Sequence, residues 1–183
     1  MTDLIVVNKD DRVLSYKDKD ECHAVNGILH RAYSIYIFNS KQELLIQQRS
    51  KDKNLWPLFW SNTCCSHPHP VCHSDPAAKE KSLFKQAQQR LSEEFGFTTK
   101  LKFLYKFNYK AQYKKIGSET ELCYVLLGKY NGVVKPNNKE IADFKWLNID
   151  WLKKNIKQNP NKYTPWFKLE IKELIKRFSN FSR

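Results

Sequence analysis

Leu83, Ala87, Leu91 and Phe95 recur at every fourth position, and the run stops at Gly96. That spacing describes one apolar stripe along a helix, opened by the cap-and-proline pair Asp75-Pro76. On either side lie segments of a different period. "LIVV" (4–7), "YSIYIF" (33–38) and "ELLIQQR" (43–49) precede it; "LYKFNYKAQY" (104–113), "ELCYVLLGKY" (121–130) and "DFKWLNI" (143–149) follow it. All are rich in β-branched and aromatic residues and read as strands, with "NSKQ" as the hairpin turn before "ELLIQQR". Thr164-Pro165 starts a second helix, striped by Phe167, Ile171, Leu174 and Phe178. Strands and helices in mixed order predict an α/β (α+β) sandwich with a mixed sheet. No repeat or Pro/Gly-rich linker interrupts the 183 residues, so one domain over 1–183 is expected.

Charge narrows the function classes. The formal charge is +13, but only six of the 32 basic residues are arginines, and the lysines are scattered. A nucleic-acid reader concentrates its basic residues and uses arginine for bidentate contacts. Scattered lysine fits attraction to a small anionic substrate instead, with no nucleic acid as partner. No apolar run approaches the ~20 residues of a membrane helix, so no membrane partner is expected. "MTDLIVVNKDD" lacks the basic start and apolar core of a secretory signal, and "FSNFSR" is no peroxisomal address. Five cysteines without evenly spaced pairs predict reduced thiols and a cytoplasmic protein.

"SNTCCSHPHPVCH" (61–73) carries three cysteines and three histidines in thirteen residues. Structural zinc favours paired ligands at short spacing, with a second pair a dozen or more residues away. Cys64 and Cys65 are adjacent, Cys72 lies seven further on, and no second cysteine pair follows, so the stretch is not a zinc knuckle. A site assembled from distant segments draws on His23 and His30, flanking Gly27, on His67, and on the pair Glu119-x-Glu121. Residues two apart in a strand share a face, so both carboxylates can serve one centre. Three imidazoles and two carboxylates would form a shell for Mg²⁺, Mn²⁺ or Zn²⁺; spacing alone equally allows five isolated surface residues.

"CHAVNGILHRAYSIYIFN" (22–39), "LLIQQRSKDKNLWPLFWSNTCCSHP" (44–68), "SEEFG" (92–96), "FNYKA" (107–111), "ETELCYVLL" (119–127) and "TPWF" (164–167) stand in this order along the chain. Together they resemble the type I isopentenyl diphosphate isomerases, from about Lys19 to Phe167. The resemblance implies a Nudix-like α/β/α fold and interconversion of isopentenyl and dimethylallyl diphosphate. It implies Cys65 as the catalytic thiol, two residues before the histidine of the S-H-P ending, and Glu121 supported by Tyr109 on the opposite face of the substrate. The metal shell it implies is His23, His30, His67, Glu119 and Glu121, holding Mn²⁺, Mg²⁺ or Zn²⁺. Glu94 matches a carboxylate that helps hold a Mg²⁺ carried by the diphosphate. Lys19, Arg49 and Lys53 match residues that grip the diphosphate, and Trp166 matches a tryptophan over the reacting carbons. A monomer or weak dimer is expected.

The chemistry requires these residue types. Moving the double bond adds a proton at one carbon and removes one elsewhere through a tertiary carbocation. An unactivated alkene is a poor base, so a positioned acid must act where water is excluded. An aromatic face stabilises the cation by about 1–2 kcal/mol when desolvated. Cys64, if extended, faces away from Cys65 and is structural; Cys22 and Cys123 are read likewise, and His69, Cys72 and His73 as loop residues. Leu58 and Ser61 depart from the glycine and threonine common in the family, with an expected effect on turn geometry or packing.

Two other readings compete. Laid on the box of a Nudix hydrolase, "QRLSEEFGF" (89–97) keeps Leu91, Glu93, Glu94, Gly96 and Phe97. It puts Gln89-Arg90 where that box has Arg-Glu, so much of the hydrolytic carboxylate cluster is missing. A basic partner-binding module would leave the His/Glu constellation unexplained.

Overall fold

The computed structural model describes residues 3–70 and 76–178. Its central strand is β3 (His30–Phe38), and the run "YSIYIF" has no polar face because both sides of this strand are covered. Tyr33, Ile35 and Ile37 point to one side, packed with Leu83, Ala87, Leu91 and Phe95 of a long helix over Pro76–Phe95. Ala32, Tyr36 and Phe38 point to the other, packed with Phe167, Ile171 and Leu174 of a helix over Pro165–Phe178. Successive side chains of a strand alternate between faces, so one apolar run builds both cores of a helix–sheet–helix sandwich.

The expected strands are all present, extended and joined by shorter ones. In chain order the described residues form β1 (Asp3–Val7), β2 (Val13–Asp18), the short α1 (Lys19–Cys22), β3, β4 (Glu43–Arg49), β5 (Trp60–Ser61) and β6 (Cys64–Ser66). The long helix α2 follows, then β7 (Lys102–Tyr113), β8 (Gly117–Lys129), β9 (Ile141–Asn148), α3 (Ile149–Gln158) and the final helix α4. The sheet is mixed: β8 runs parallel to β3 and antiparallel to β7, and the other pairings are antiparallel. Helix α3 begins directly where β9 ends, because the Asn148 side chain accepts hydrogen bonds from the N–H groups of Asp150 and Trp151. The expected cap at Asp75 lies outside the described residues. Thr164 does precede α4, but its hydroxyl bonds Ser61 Oγ at 2.9 Å, and its N–H donates to the Trp60 carbonyl at 3.0 Å. The start of α4 is thereby tied to β5.

"NSKQ" does turn β3 into β4, yet the two strands touch only at Phe38 and Leu44 and then splay apart. The segment 60–66 fills the wedge. Trp60 and Ser61 pair with β4, while Cys64, Cys65 and Ser66 pair with β3. Between them, Thr63 Oγ1 accepts from the Ile37 N–H at 3.0 Å and donates to the Leu45 carbonyl at 2.6 Å. Asn62 Nδ2 donates to the carbonyls of Ile35 and Cys64. Buried backbone groups need partners, and these two side chains supply them where the ladder opens. Because β6 is extended, Cys64 enters the core under α2 while Cys65 faces the core under α4.

Leu58 has φ +62° and Trp56 φ +47°, the left-handed region where a side chain is strained. The departure from glycine at Leu58 therefore falls at a position that glycine would occupy freely. Leu58→Gly should raise the unfolding free energy by about 1 kcal/mol, reduced in part by the greater freedom of glycine in the unfolded chain. Thr63→Val should lower it by about 2 kcal/mol or more, since two buried backbone groups lose their partner. Urea unfolding of both variants checks the pair.

Candidate active site and metal centre

Strand register assembles the site. Glu121 of β8 lies opposite His30 of β3 on one side and opposite Tyr109 of β7 on the other, and Glu119 follows on the same face. His23, just past α1, is fastened to the start of β8: its carbonyl accepts the Ser118 N–H at 3.0 Å, and Ser118 Oγ donates to the Ala24 carbonyl at 2.9 Å. Gly27 permits this approach. It has φ +54°, and a Cβ there would lie 2.3 Å from Ser118 Oγ. His67 arrives one residue beyond β6.

The three imidazoles stand at the corners of a triangle, with ring centres 4.8, 4.9 and 5.0 Å apart. Together with Glu119 and Glu121 they offer five ligand atoms within 4.8 Å of one another. Nδ1 of His23 sits 2.7 Å from the Lys19 carbonyl, and Nδ1 of His30 sits 2.7 Å from the Ile28 carbonyl. A carbonyl can only accept, so both Nδ1 atoms carry the proton and both Nε2 atoms keep a lone pair in the neutral ring. Burial holds His30 and His67 down to about 3, helped by the neighbouring imidazoles. Burial also pulls His23 down, but the Glu119 carboxylate outweighs it and the net shift is upward.

Among the described residues, His30 Nε2 and Glu119 Oε2 are buried polar atoms without a hydrogen-bond partner. Glu119 Oε2 does lie 2.9 Å from His23 Nε2, which is an ion pair only when that ring is doubly protonated; with the ring neutral, two lone pairs face each other. Orphaned buried acceptors aimed at one point are what a cation would satisfy. The donor set is suited to a divalent metal.

Beside this centre opens a cavity of about 310 Å³, lined in part by Cys65, His67, Tyr109, Glu119, Glu121 and Trp166. Tyr109 donates its hydroxyl to Glu121 Oε2 at 2.7 Å, and His67 Nε2 is 3.0 Å from Glu121 Oε1. Burial raises both Tyr109 and Glu121, in the latter case against the hydrogen bond from Tyr109. Cys65 donates to Asn62 Oδ1 at 2.9 Å, and the Trp166 indole N–H reaches the same oxygen at 3.2 Å. Burial, followed by the Glu170 carboxylate, pushes the Cys65 thiol far up. The Trp166 ring is braced edge-on by Trp56.

Four cations also line the cavity: Lys19, Arg49, Lys53 and Arg90. Arg49 lies over the Trp166 ring at 5.3 Å and is fixed by bonds to the carbonyls of Leu55 and Trp56. Lys53 and Arg90 share the carboxylate of Glu140.

The structure thus brings ten of the expected residues to the lining of one cavity: Cys65, Glu121, Tyr109, Lys19, Arg49, Lys53, Trp166, His23, His67 and Glu119. His30 lies beneath it, fully buried, as part of the metal group. Glu94 stands apart from both. Its oxygens are taken by Arg90 at 2.8 Å and Gln47 at 3.0 Å. His69 is in a loop, its N–H bonded to Gln86; Cys72 and His73 lie outside the described residues. Cys22 and Cys123 are buried, as structural cysteines should be.

Sequence reasoning missed Arg90. Its signal was available: four residues before Glu94 on α2, it shares a helix face with that carboxylate. Asn62, Glu140 and Glu170 carried no comparable signal.

The NUDIX domain model matches residues 28–167. Isopentenyl-diphosphate Delta-isomerase 1 of Photorhabdus laumondii is 36% identical over 177 residues, 96% of each chain. The isopentenyl-diphosphate Delta-isomerase of Pectobacterium atrosepticum is 36% identical over 92% of this chain and 89% of its own. That of Schizosaccharomyces pombe is 35% identical over 90% of this chain and 78% of its own. Among solved structures, a Deinococcus radiodurans protein superposes with a TM-score of 0.64 at 16% identity, over 85% of this chain and 89% of its own. A Nudix hydrolase from Alicyclobacillus acidocaldarius superposes with a TM-score of 0.57 at 12% identity, over 79% of this chain and 90% of its own. At such identity the structural likeness establishes the fold alone.

Metal binding has a direct consequence for stability. Mn²⁺ at about 100 times its Kd should stabilise the metal-free protein by about 2.7 kcal/mol, and elemental analysis should count one ion per chain. His30→Ala and Glu119→Gln should each abolish most of that stabilisation in a thermal melt.

Proposed function

Since this chain belongs to the isopentenyl-diphosphate delta-isomerase family, built on the Nudix domain, we propose that it interconverts isopentenyl and dimethylallyl diphosphate by proton addition and removal. The observation that carries this reading is one cavity lined both by a thiol, a tyrosine-backed carboxylate and a tryptophan and by four cations. An allylic diphosphate has a matching division between a small apolar body and a strongly anionic head.

Glu121 and Tyr109 form the acid. The short hydrogen bond between them and their common burial keep a proton in the pair at neutral pH, ready for the alkene. Cys65 is the base on the other side, so that proton gain and loss occur on opposite faces of the substrate. Trp166 presents its indole to the carbocation; its N–H is held by Asn62, which fixes the ring. Arg49, Lys19, Lys53 and Arg90 bind the diphosphate, and binding energy gained there is remote from the reacting carbons.

His23, His30, His67, Glu119 and Glu121 would hold a divalent ion, whether Mn²⁺, Mg²⁺ or Zn²⁺, which would supply Lewis-acid polarisation at the Glu121 carboxylate. For a Mg²⁺ that arrives with the diphosphate, Glu94 would be the side-chain contact, reached once Arg90 turns from it to the phosphate.

Conversion of isopentenyl diphosphate by metal-loaded protein, followed by NMR of the vinyl protons, tests the assignment. Cys65→Ala and Glu121→Gln should each lower kcat by about 1000-fold or more. Absence of isomerisation by the wild-type protein, or full activity of the Cys65→Ala variant, would sink it.

A further inference from the structure

Behind Cys65 lies a carboxylate that the reaction outlined above does not use. Glu170, on the second turn of α4, is 1% exposed, and it faces hydroxyls and thiols with no ion-pair partner among the described residues. Ser34 Oγ donates to Glu170 Oε1 at 2.8 Å, Tyr36 donates to Oε2 at 2.6 Å, and Cys123 Sγ is 3.6 Å from Oε1. Ser34 also touches Cys65, Oγ to Sγ at 3.4 Å, because β6 pairs with β3 in the register Ser34–Cys65. A chain of contacts, Cys65 Sγ to Ser34 Oγ to Glu170 Oε1, therefore runs from the cavity into the core, with the Cys65 proton resting on Asn62 Oδ1 and Cys123 Sγ 3.3 Å from the same Ser34 oxygen.

We propose that Glu170 is a positioning residue that takes and returns the proton of Cys65 through the Ser34 hydroxyl. The inference rests on the isomerase reading, which makes Cys65 the base. A base must first be a thiolate, and the proton it sheds needs a destination. In the step, the Cys65 S–H bond breaks and its proton forms a bond to Ser34 Oγ. The original Ser34 O–H proton passes to Glu170 Oε1. Thiol and carboxylate become thiolate and carboxylic acid, serine is regenerated, and the net charge is unchanged. The polarity of the chain changes with it. Ionised Glu170 accepts from Ser34, whose oxygen is then an acceptor only, open to the Cys65 S–H once it turns from Asn62. Protonated Glu170 donates to Ser34, which turns its own O–H towards the thiolate.

The surroundings suit a shared proton. Groups facing Glu170 are Ser34 and Tyr36 from β3, Cys65 from β6, Tyr105 from β7, and Glu121 and Cys123 from β8. Tyr105 donates to the Glu170 backbone carbonyl at 3.2 Å. Burial raises the Glu170 carboxyl to about 7, against the hydrogen bonds from Tyr36, Ser34 and Cys123. Glu170 must be ionised to receive a proton through Ser34, so activity should rise with pH through about 7.

The test uses the metal-loaded protein with isopentenyl diphosphate, and separately with iodoacetamide, reading alkylation at the Cys65 peptide by mass spectrometry. Glu170→Gln and Ser34→Ala should each lower kcat by about 100-fold, with KM changed less than about twofold. The double variant should be no worse than either single one, because both break one relay. Glu170→Gln should also lose the rise in kcat across neutral pH. Alkylation needs no turnover: in wild type its rate should level off above about pH 7, where the pair shares its last proton. In Glu170→Gln it should climb about tenfold per pH unit. Multiplicative kcat losses, or kcat within about threefold of wild type in either single variant, would overturn the relay. The same alkylation slope in both proteins would overturn it as well. If the wild type fails to isomerise, the alkylation profiles still decide the proton sharing, so the two ideas fail separately.

Discussion

The hydroxyl of Thr63 stands where two strands part, and much of the site depends on it. By bonding Ile37 of β3 and Leu45 of β4 at once, it lets the sheet open without leaving backbone groups bare in the core. The opening admits a second run of chain, and that run carries Asn62, Cys65 and His67. A continuous β3–β4 hairpin would have closed the sheet and left no entry for a thiol beside Ser34. Asn62 extends the effect outward, since its Oδ1 collects the Cys65 thiol, the Ser61 hydroxyl and the Trp166 indole. One side-chain oxygen thus fixes the spacing between the Cys65 sulfur and the Trp166 ring, contributed from distant parts of the sequence.

The legible parts of the fold were those with long periodic patterns. Helix α2, with its stripe at fourth positions, and β3, with its apolar run, could be read because burial dictates composition along their whole length. Strand β2 could not: "VLSYKD" has no buried residue, so no pattern marks it. Helix α3 was hidden by its lack of a preceding loop, although Asn148 with Asp150 just after it is an ordinary cap signal. Strands β5 and β6 are too short to show a period, and the chemistry-rich "TCCSH" draws attention away from conformation.

For the site, spacing placed Glu119 and Glu121 on one face but could not say which strands flank them. That Glu121 meets His30 on one side and Tyr109 on the other is a matter of parallel and antiparallel register, decided by tertiary packing. The motif resemblance supplied the convergence that periodicity left open. Arg90 escaped because it was weighed as a missing piece of a hydrolase box and not as a cation in its own right. Glu170 escaped because a single glutamate on an amphipathic helix looks like solvent-facing charge until the helix is turned against the sheet.

Glu140 gives the cationic wall a resident anion. With both Lys53 and Arg90 against it, burial pulls its carboxyl up but the two cations outweigh that and hold it ionised. Four neighbouring positive charges with nothing among them would repel one another and attract any passing anion. With a carboxylate already in place, an incoming anion gains only the difference between itself and Glu140. On the proposed reading, a diphosphate would have to displace Glu140 from Lys53 and Arg90, and the same carboxylate would stand ready to take them back, so that retention is weakened as much as capture.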